Sequence, residues 1–451
     1  MTPLTTRQTV ATVIASLLGL AAACLVALYL LAQAWLAPLP GEWATPLHVG
    51  PVRLQASVRK LVHLATAPRL APLLQGRTVV TRAGPVALTW QASSGTLALR
   101  CAPCVVRASG LGNGPLAVEE LRLTVHRQGE QLSGDISSGR VQASWRGDLK
   151  QDGVRLRLQL PMTPIADAYA LFNASIPELA QARIEGRFAL TATLSLPGGD
   201  FSVTPQAEGF QVSGLGTEAF VNARSACSET APHLTPKSWL ARAVVAAEDQ
   251  RFYEHNGYDL VELSAALAQT PVTRQAGRAG RGASTLSQQL AKLLITGDAH
   301  SPVRKLRELL YAVEMEQTLG KPRILRLYLA HAPWGPGICG AEAASRRYFG
   351  HPATALNPSQ AAWLAAMLHN PALEAERWTQ TGQINVARTQ WVLSGMRALP
   401  SKERVRRVKE LKSLDWQAPN PKLSRNQTDT SNVLPRMACC LPFSTPAALR
   451  P

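Results

Sequence analysis

Three textures of hydrophobic and polar residues succeed one another along the 451-residue chain. The first is a continuous apolar run, Val10–Leu36, with no charge over 27 residues. At 1.5 Å rise per residue it predicts about 40 Å of helix, enough to cross a roughly 30 Å hydrocarbon core with some tilt. A cleaved signal peptide is the competing reading, and AAAC at Ala21–Cys24 suggests a lipoprotein cleavage site. The run continues well past Cys24, longer than a usual signal core, which favours a retained anchor. Arg7 precedes the span and no Lys or Arg follows until Arg53. The positive-inside rule then exports everything after about residue 40.

The second texture is alternation. After a Pro-rich exit and an amphipathic stretch, short runs of period two follow: Thr78–Arg82, Val86–Gln91, Thr96–Arg100, Leu121–His126, Val141–Arg146, Val154–Leu160 and Arg187–Leu196. Bounded by Gly, Asn and Asp, they predict antiparallel strands with one face packed and the other wet.

The third texture is helical and begins after Gly214. Thr235-Pro236, Ser301-Pro302 and Asn357-Pro358 each pair a capping residue with Pro at the first helical position. The second of these starts Val303–Leu319, which Gly320 terminates. The third starts Ser359–Leu368. A basic segment from Arg377 to Arg425 holds a further helix, Ser401–Leu414, and the last 35 residues or so have the Pro-, Asn-, Ser- and Thr-rich composition of a disordered tail.

Charge changes the picture in one way. With 47 Lys+Arg against 30 Asp+Glu the formal charge is +17, which favours an anionic partner. Aromatic content is 6%, without RNA-binding aromatic motifs or zinc-finger spacing, so nucleic acid is not the partner expected. Cys101-Ala-Pro-Cys104 is one CxxC where a zinc ribbon needs two, so a local disulfide in an oxidising compartment is the expectation.

The candidate chemistry lies in the helical part. AAEDQRFYEHNGYD, Ala246–Asp259, follows a buried-looking apolar run and carries Glu248, Asp249, Phe252 and His255. Taken alone it is the polar end of a helix. GRGASTLSQQLAKLL, Gly280–Leu294, is a Gly-rich loop leading through Ser284 and Thr285 into a helix on which Gln288, Gln289 and Lys292 share a face. In Ser301–Ala330, Arg304 and Lys305 lie four and three residues before Glu308. That is an ordinary helix salt bridge, or a clamp for a pyrophosphate with a carboxylate beside it.

These pieces, taken in order, resemble the peptidoglycan glycosyltransferase domain, the lysozyme-like family shared by monofunctional transglycosylases and class A penicillin-binding proteins. The matching stretches are EDQRFYEHNG (Glu248–Gly257), GASTLSQQLAK (Gly282–Lys292), RKLRE (Arg304–Glu308), KPRILRLYLA (Lys321–Ala330) and GPGICGAEAASRRYFG (Gly335–Gly350). They cover about residues 225–375. The resemblance implies that Glu248 is the catalytic base, taking the proton from the sugar 4-hydroxyl of an incoming lipid II. That oxygen attacks the anomeric carbon of the growing chain and expels undecaprenyl pyrophosphate. It implies that Glu308 assists at the pyrophosphate end, directly or through a divalent ion (Mg or Mn), with no tightly bound cofactor. It places Lys292, Arg304 and Lys305 on the phosphates and Asp249, Phe252, His255, Ser284, Thr285, Gln288 and Gln289 around the substrate. Because the leaving group is already a pyrophosphate, cations can replace the protonating acid that a glycosidase needs. Asp249 beside a partly buried base is expected to raise its pKa.

Two positions depart from the family pattern: Ala330 stands where it usually has Asn, and Ala283 where it usually has a second Gly. No SxxK, SxN and KTG set follows in order, so a transpeptidase activity is not expected. The expected architecture is multidomain: a short cytoplasmic tail and transmembrane anchor (1–40), a β-rich periplasmic domain (41–220), a mainly α lysozyme-like glycosyltransferase domain (221–378), and a basic helical segment with a tail (379–451). In texture the β-rich part resembles the periplasmic modules of AsmA-like envelope proteins and reads as a binding or spacer module. The expected setting is the bacterial inner membrane, single-pass, with the bulk in the periplasm. The expected partners are lipid II, the growing glycan strand, and a separate transpeptidase or other envelope proteins. A degenerate scaffold and a glycan-cleaving muramidase-like enzyme are the alternatives.

Overall fold

The computed structural model describes residues 6–49, 52–107, 114–222, 234–267, 284–299 and 301–413. The Gly-rich approach through Ala283, Cys227, and the tail with Cys439 and Cys440 lie outside them. Helix α1 spans Thr6–Leu36. Among the described residues no helix is long and apolar enough to cross a membrane. The side chains of residues 6–15 fall outside that description, and the anchor is taken up below as a proposal.

A hairpin, β1 (Ala44–Val49) and β2 (Val52–Ser57), leads into α2 (Val58–Ala65), which Ser57 caps from its side chain. Then comes the main sheet. Its strands, in chain order, are β3 (Thr78–Thr81), β4 (Gly84–Gln91), β5 (Thr96–Cys101), β8 (Leu121–Gln128), β9 (Gln131–Ser138), β10 (Val141–Leu149), β11 (Val154–Pro164), β12 (Arg183–Leu196) and β13 (Asp200–Ser213), with a side hairpin β6 (Cys104–Arg107) and β7 (Pro115–Val118) between β5 and β8 and a short helix α3 (Ile165–Ala170) between β11 and β12. The sheet has nine strands in the order β13-β12-β11-β10-β9-β8-β5-β4-β3, every pair antiparallel. All seven alternating runs fall on its strands. On β10 the alternation is read directly in the burial: Ala143, Gly147 and Leu149 are buried, while Gln142, Ser144, Arg146 and Asp148 are exposed. Cys101 and Cys104 form the expected local disulfide.

Strand β13 ends the sheet, so Pro205 costs no ladder hydrogen bond on its open side. Its pairing with β12 shifts register beside Gly186. There a Cβ would stand 2.6 Å from the Gly209 carbonyl oxygen, so only glycine fits the bulge.

The helical body follows: α4 (Trp239–Glu248), α5 (Leu260–Leu267), α6 (Leu286–Ala291) continued by a π turn at Lys292–Thr296, α7 (Pro302–Thr318), α8 (Gly320–His331), α9 (Ala341–Phe349), α10 (Pro358–Met367), α11 (Pro371–Thr381), α12 (Val386–Gly395) and α13 (Ser401–Ser413). Ser301 and Asn357 cap α7 and α10 as expected, the latter in a capping box with Gln360. Thr235 does not cap α4. Thr235-Pro236 forms a turn, closed by the Ser238 N–H on the Thr235 carbonyl, and Ser238 is the cap. One core runs from Leu240 in α4 through Trp363 and Trp378 to Leu411 in α13, so the segment beyond 378 packs into the helical body.

The two parts share a core. Ile165, Tyr169, Phe210 and Val212 of the sheet part bury against Leu310 and Val313 of α7. Polar groups fix the join: buried Glu178 accepts from Arg307 Nε at 2.8 Å and from the Tyr311 hydroxyl at 3.3 Å, and the Tyr169 hydroxyl donates to the Leu306 carbonyl at 3.1 Å. Buried Glu314 of α7 accepts the backbone N–H groups of Leu215 and Thr217. Helix α7 is thus gripped along one side by the sheet part. Glu178→Gln removes a charged acceptor from Arg307 and is expected to cost about 1.5–3 kcal/mol in denaturant unfolding.

Candidate active site

Helix α4 buries Leu240, Ala243, Val244 and Ala247 and delivers Glu248 at its last turn into a cleft of about 570 Å³. The Glu248 side chain is 12% exposed. Its Oε2 accepts from Gln289 Nε2 at 3.0 Å, and the Tyr328 hydroxyl donates to Gln289 Oε1 at 2.8 Å. An ionised carboxylate can only accept, so Gln289 must turn its NH₂ towards it, and Tyr328 holds the amide that way round. The other oxygen, Oε1, is buried and makes no hydrogen bond, with Arg388 Nη2 at 3.8 Å. Burial pushes the Glu248 pKa up, against the Gln289 hydrogen bond and the positive fields of Arg388 and His369. Asp249 also raises it, but as the smallest contributor. Desolvation, more than the neighbouring carboxylate expected from the sequence, makes this a carboxyl group of raised pKa.

Asp249 is occupied elsewhere. Its oxygens lie 3.0 and 3.1 Å from His255 Nε2, and Oδ2 accepts the Leu286 N–H at 2.9 Å. It thereby clasps the first turn of α6 to the end of α4. Behind it, Lys321 stands over the Phe252 ring at 4.4 Å and bonds Glu316 at 2.8 Å. Thr285 caps α6 in a reciprocal box with Gln288 and donates its hydroxyl to the Gly257 carbonyl at 2.8 Å. Gly257 has φ +88°, and a Cβ there would meet the Ala312 backbone of α7 at 2.9 Å. Gly257→Ala is expected to lower stability by about 1–3 kcal/mol, read as a fall in Tm.

The other end of the cleft is cationic. Lys305 Nζ donates to Ser284 Oγ at 2.7 Å and to Glu308 Oε2 at 2.7 Å; Arg304 donates to Glu308 Oε1. Lys292, at the start of the π turn, pairs with exposed Asp298 at 2.7 Å. Three cations face two carboxylates here, leaving a surplus of one positive charge. Arg304 Nε is buried without a hydrogen-bond partner. Glu308 is 0% exposed and acts as the counter-ion that fixes both heads.

The cleft therefore brings together Glu248, Asp249, Ser284, Thr285, Gln289, Lys292, Arg304 and Lys305. Phe252, His255, Gln288 and Glu308 stand behind its wall. Ala330, in the last turn of α8, does not line it either. The wall also holds Tyr328, from the stretch KPRILRLYLA but not among the site residues expected, and three residues outside every motif: His369, Arg388 and Trp391. Arg388 stacks on Trp391 at 4.5 Å and reaches Glu248 because α12 packs against α4.

A divalent ion at Glu308 does not fit these residues. Both carboxylate oxygens are taken by Arg304 and Lys305, and among the described residues no three His, Cys, Asp or Glu side chains converge on one point.

Residues 222–397 match the family model described as Transglycosylase. The chain is 45% identical over 161 residues to a biosynthetic peptidoglycan transglycosylase of Cronobacter sakazakii, covering 36% of this chain and 64% of that protein. A protein of the same name from Azoarcus sp. is 49% identical over 132 residues, covering 29% and 56%. One from Salmonella arizonae is 46% identical over 161 residues, covering 36% and 64%. The chain thus spans less than two thirds of the length of these curated relatives.

Proposed function

We propose that this chain is a membrane-anchored peptidoglycan glycosyltransferase that polymerises lipid II and does not cross-link the product. Glu248 Oε1 takes the proton of the acceptor's sugar 4-hydroxyl. The freed oxygen pair forms a bond to the anomeric carbon of the growing chain, whose bond to the pyrophosphate oxygen breaks. The electron pair leaves on undecaprenyl pyrophosphate, which Arg304, Lys305 and Lys292 receive without needing a protonating acid. Glu308 serves as the counter-ion that aims these cations. Asp249, Ser284, Thr285 and Gln289 build the wall between the two ends, with Gln288, His255 and Phe252 holding it from behind. Helix α1 keeps the enzyme at the surface where both lipid-linked substrates reside, at the bacterial inner membrane, with the bulk of the chain in the periplasm.

One observation supports this reading: Glu248, which lines a cleft whose far end is cationic, has one oxygen pinned by Gln289 and the other buried without a hydrogen bond. The test is the full chain in detergent with labelled lipid II. Glycan strands and released undecaprenyl pyrophosphate are expected. Cleavage of preformed glycan without polymerisation would replace the proposal with a hydrolase. Arg388→Gln removes a positive field that lowers the Glu248 pKa. The acidic limb of its rate–pH profile is therefore expected at higher pH than in the unaltered chain.

A further inference from the structure

A second hollow, about 560 Å³, opens beside the cleft where the sheet part meets the helical body. Phe188, Val203 and Phe210 of β12 and β13 form one wall; Leu263, Leu306 and Leu309 of α5 and α7 form the other. It adjoins the cleft: Asp259, Ser284 and Lys305 line both. The Lys305 ammonium stands at the junction, with the apolar walls on one side and the cationic end of the cleft on the other.

We propose that this groove holds the head-proximal part of the polyprenyl chain of the bound pyrophosphate lipid, and that the sheet domain supplies half of it. The inference rests on the function proposed above. A prenyl pyrophosphate is an anion joined directly to a branched hydrocarbon. A cationic patch adjoining an apolar trough matches that order of chemistry, and a hollow of this size suits a drug-sized length of chain rather than a whole polyprenyl tail. The wall residues Phe188, Val203 and Phe210 precede residue 222, where the match to the transglycosylase model begins. This half of the groove is therefore an addition of this chain to the matched segment. Ala266 and Ser284, which line the groove, flank the chain's own segment 268–283, whose sequence holds three arginines and a single large aliphatic residue, Val272. Its composition does not suit an apolar trough.

The test compares binding of farnesyl pyrophosphate and inorganic pyrophosphate to the full chain by calorimetry. Farnesyl pyrophosphate is expected to bind at least tenfold more tightly, and Val203→Trp, which fills the groove from a half-buried strand position, is expected to remove the difference while leaving inorganic pyrophosphate unchanged. Leu263→Trp, from the opposite wall, should do the same, and melting curves identify a variant that fails to fold. Equal binding of the two anions to the unaltered chain would overturn the proposal, as would a difference that survives in both folded variants. Polymerisation of lipid II without a farnesyl preference would sink the groove and leave the function standing. A farnesyl preference without polymerisation would do the reverse.

Discussion

Glu248→Gln is expected to reduce lipid II polymerisation by about 10³-fold, within the range that a positioned general base contributes, while the protein melts at a higher temperature at neutral pH. The two effects share one cause. Burial raises the Glu248 pKa, so between the ordinary carboxylate value and the raised one the folded chain holds a proton that the unfolded chain has released. Stability falls as pH rises through that window. Gln has the same shape, can still accept from Gln289 and carries no charge to desolvate, so it removes the penalty and the base together. Melting curves at neutral pH and at a pH well below the ordinary carboxylate range check this: the stabilisation should be present in the first and absent in the second. Loss of activity accompanied by loss of stability would instead make Glu248 a structural residue.

Glu308→Ala is expected to be the most destabilising substitution in the cleft region, by about 3–5 kcal/mol in denaturant unfolding. Glu308 is fully buried and neutralises Arg304, which is itself buried, together with the half-exposed Lys305. Its removal leaves a buried guanidinium without a counter-ion and opens space beside it. Glu308→Gln keeps the volume and an acceptor, so its cost should be smaller, yet both variants should polymerise poorly because the heads of Arg304 and Lys305 are no longer aimed. A variant that unfolds like the parent would show that Glu308 is not the counter-ion described here.

Much of the fold was legible in residue patterns. Alternation found seven strands of the sheet, and cap-then-Pro pairs found the starts of α7 and α10. What escaped had physical reasons. QLSGDISS, on β9, has too few apolar residues to alternate visibly, and its neighbours on both sides supply the pairing. β13 carries Pro205 and Gly209, which argue against a strand unless it lies at a sheet edge with a bulge, as this one does. Thr235-Pro236 looked like a helix start because a turn with a Pro has the same local chemistry.

The site divides in the same way. Glu248, Gln289, Lys292, Arg304 and Lys305 stood in ordered stretches and meet in one cleft. Arg388 and His369 could not be read as its members, since their fields reach Glu248 only through packing of the segments that carry them. Nor could the sequence tell Asp249, spent on His255 and Leu286, from a carboxylate free to act on its neighbour.

A buried Glu248, with one oxygen pinned and the other without a hydrogen bond, is the proposed base for glycosyl transfer. The most direct test of this role is the pH dependence of kcat/KM for lipid II polymerisation by the full chain. An acidic limb is expected above the ordinary carboxylate range, displaced upward in Arg388→Gln and lost in Glu248→Gln. A limb at the ordinary carboxylate value, or one that persists unchanged in Glu248→Gln, would contradict it.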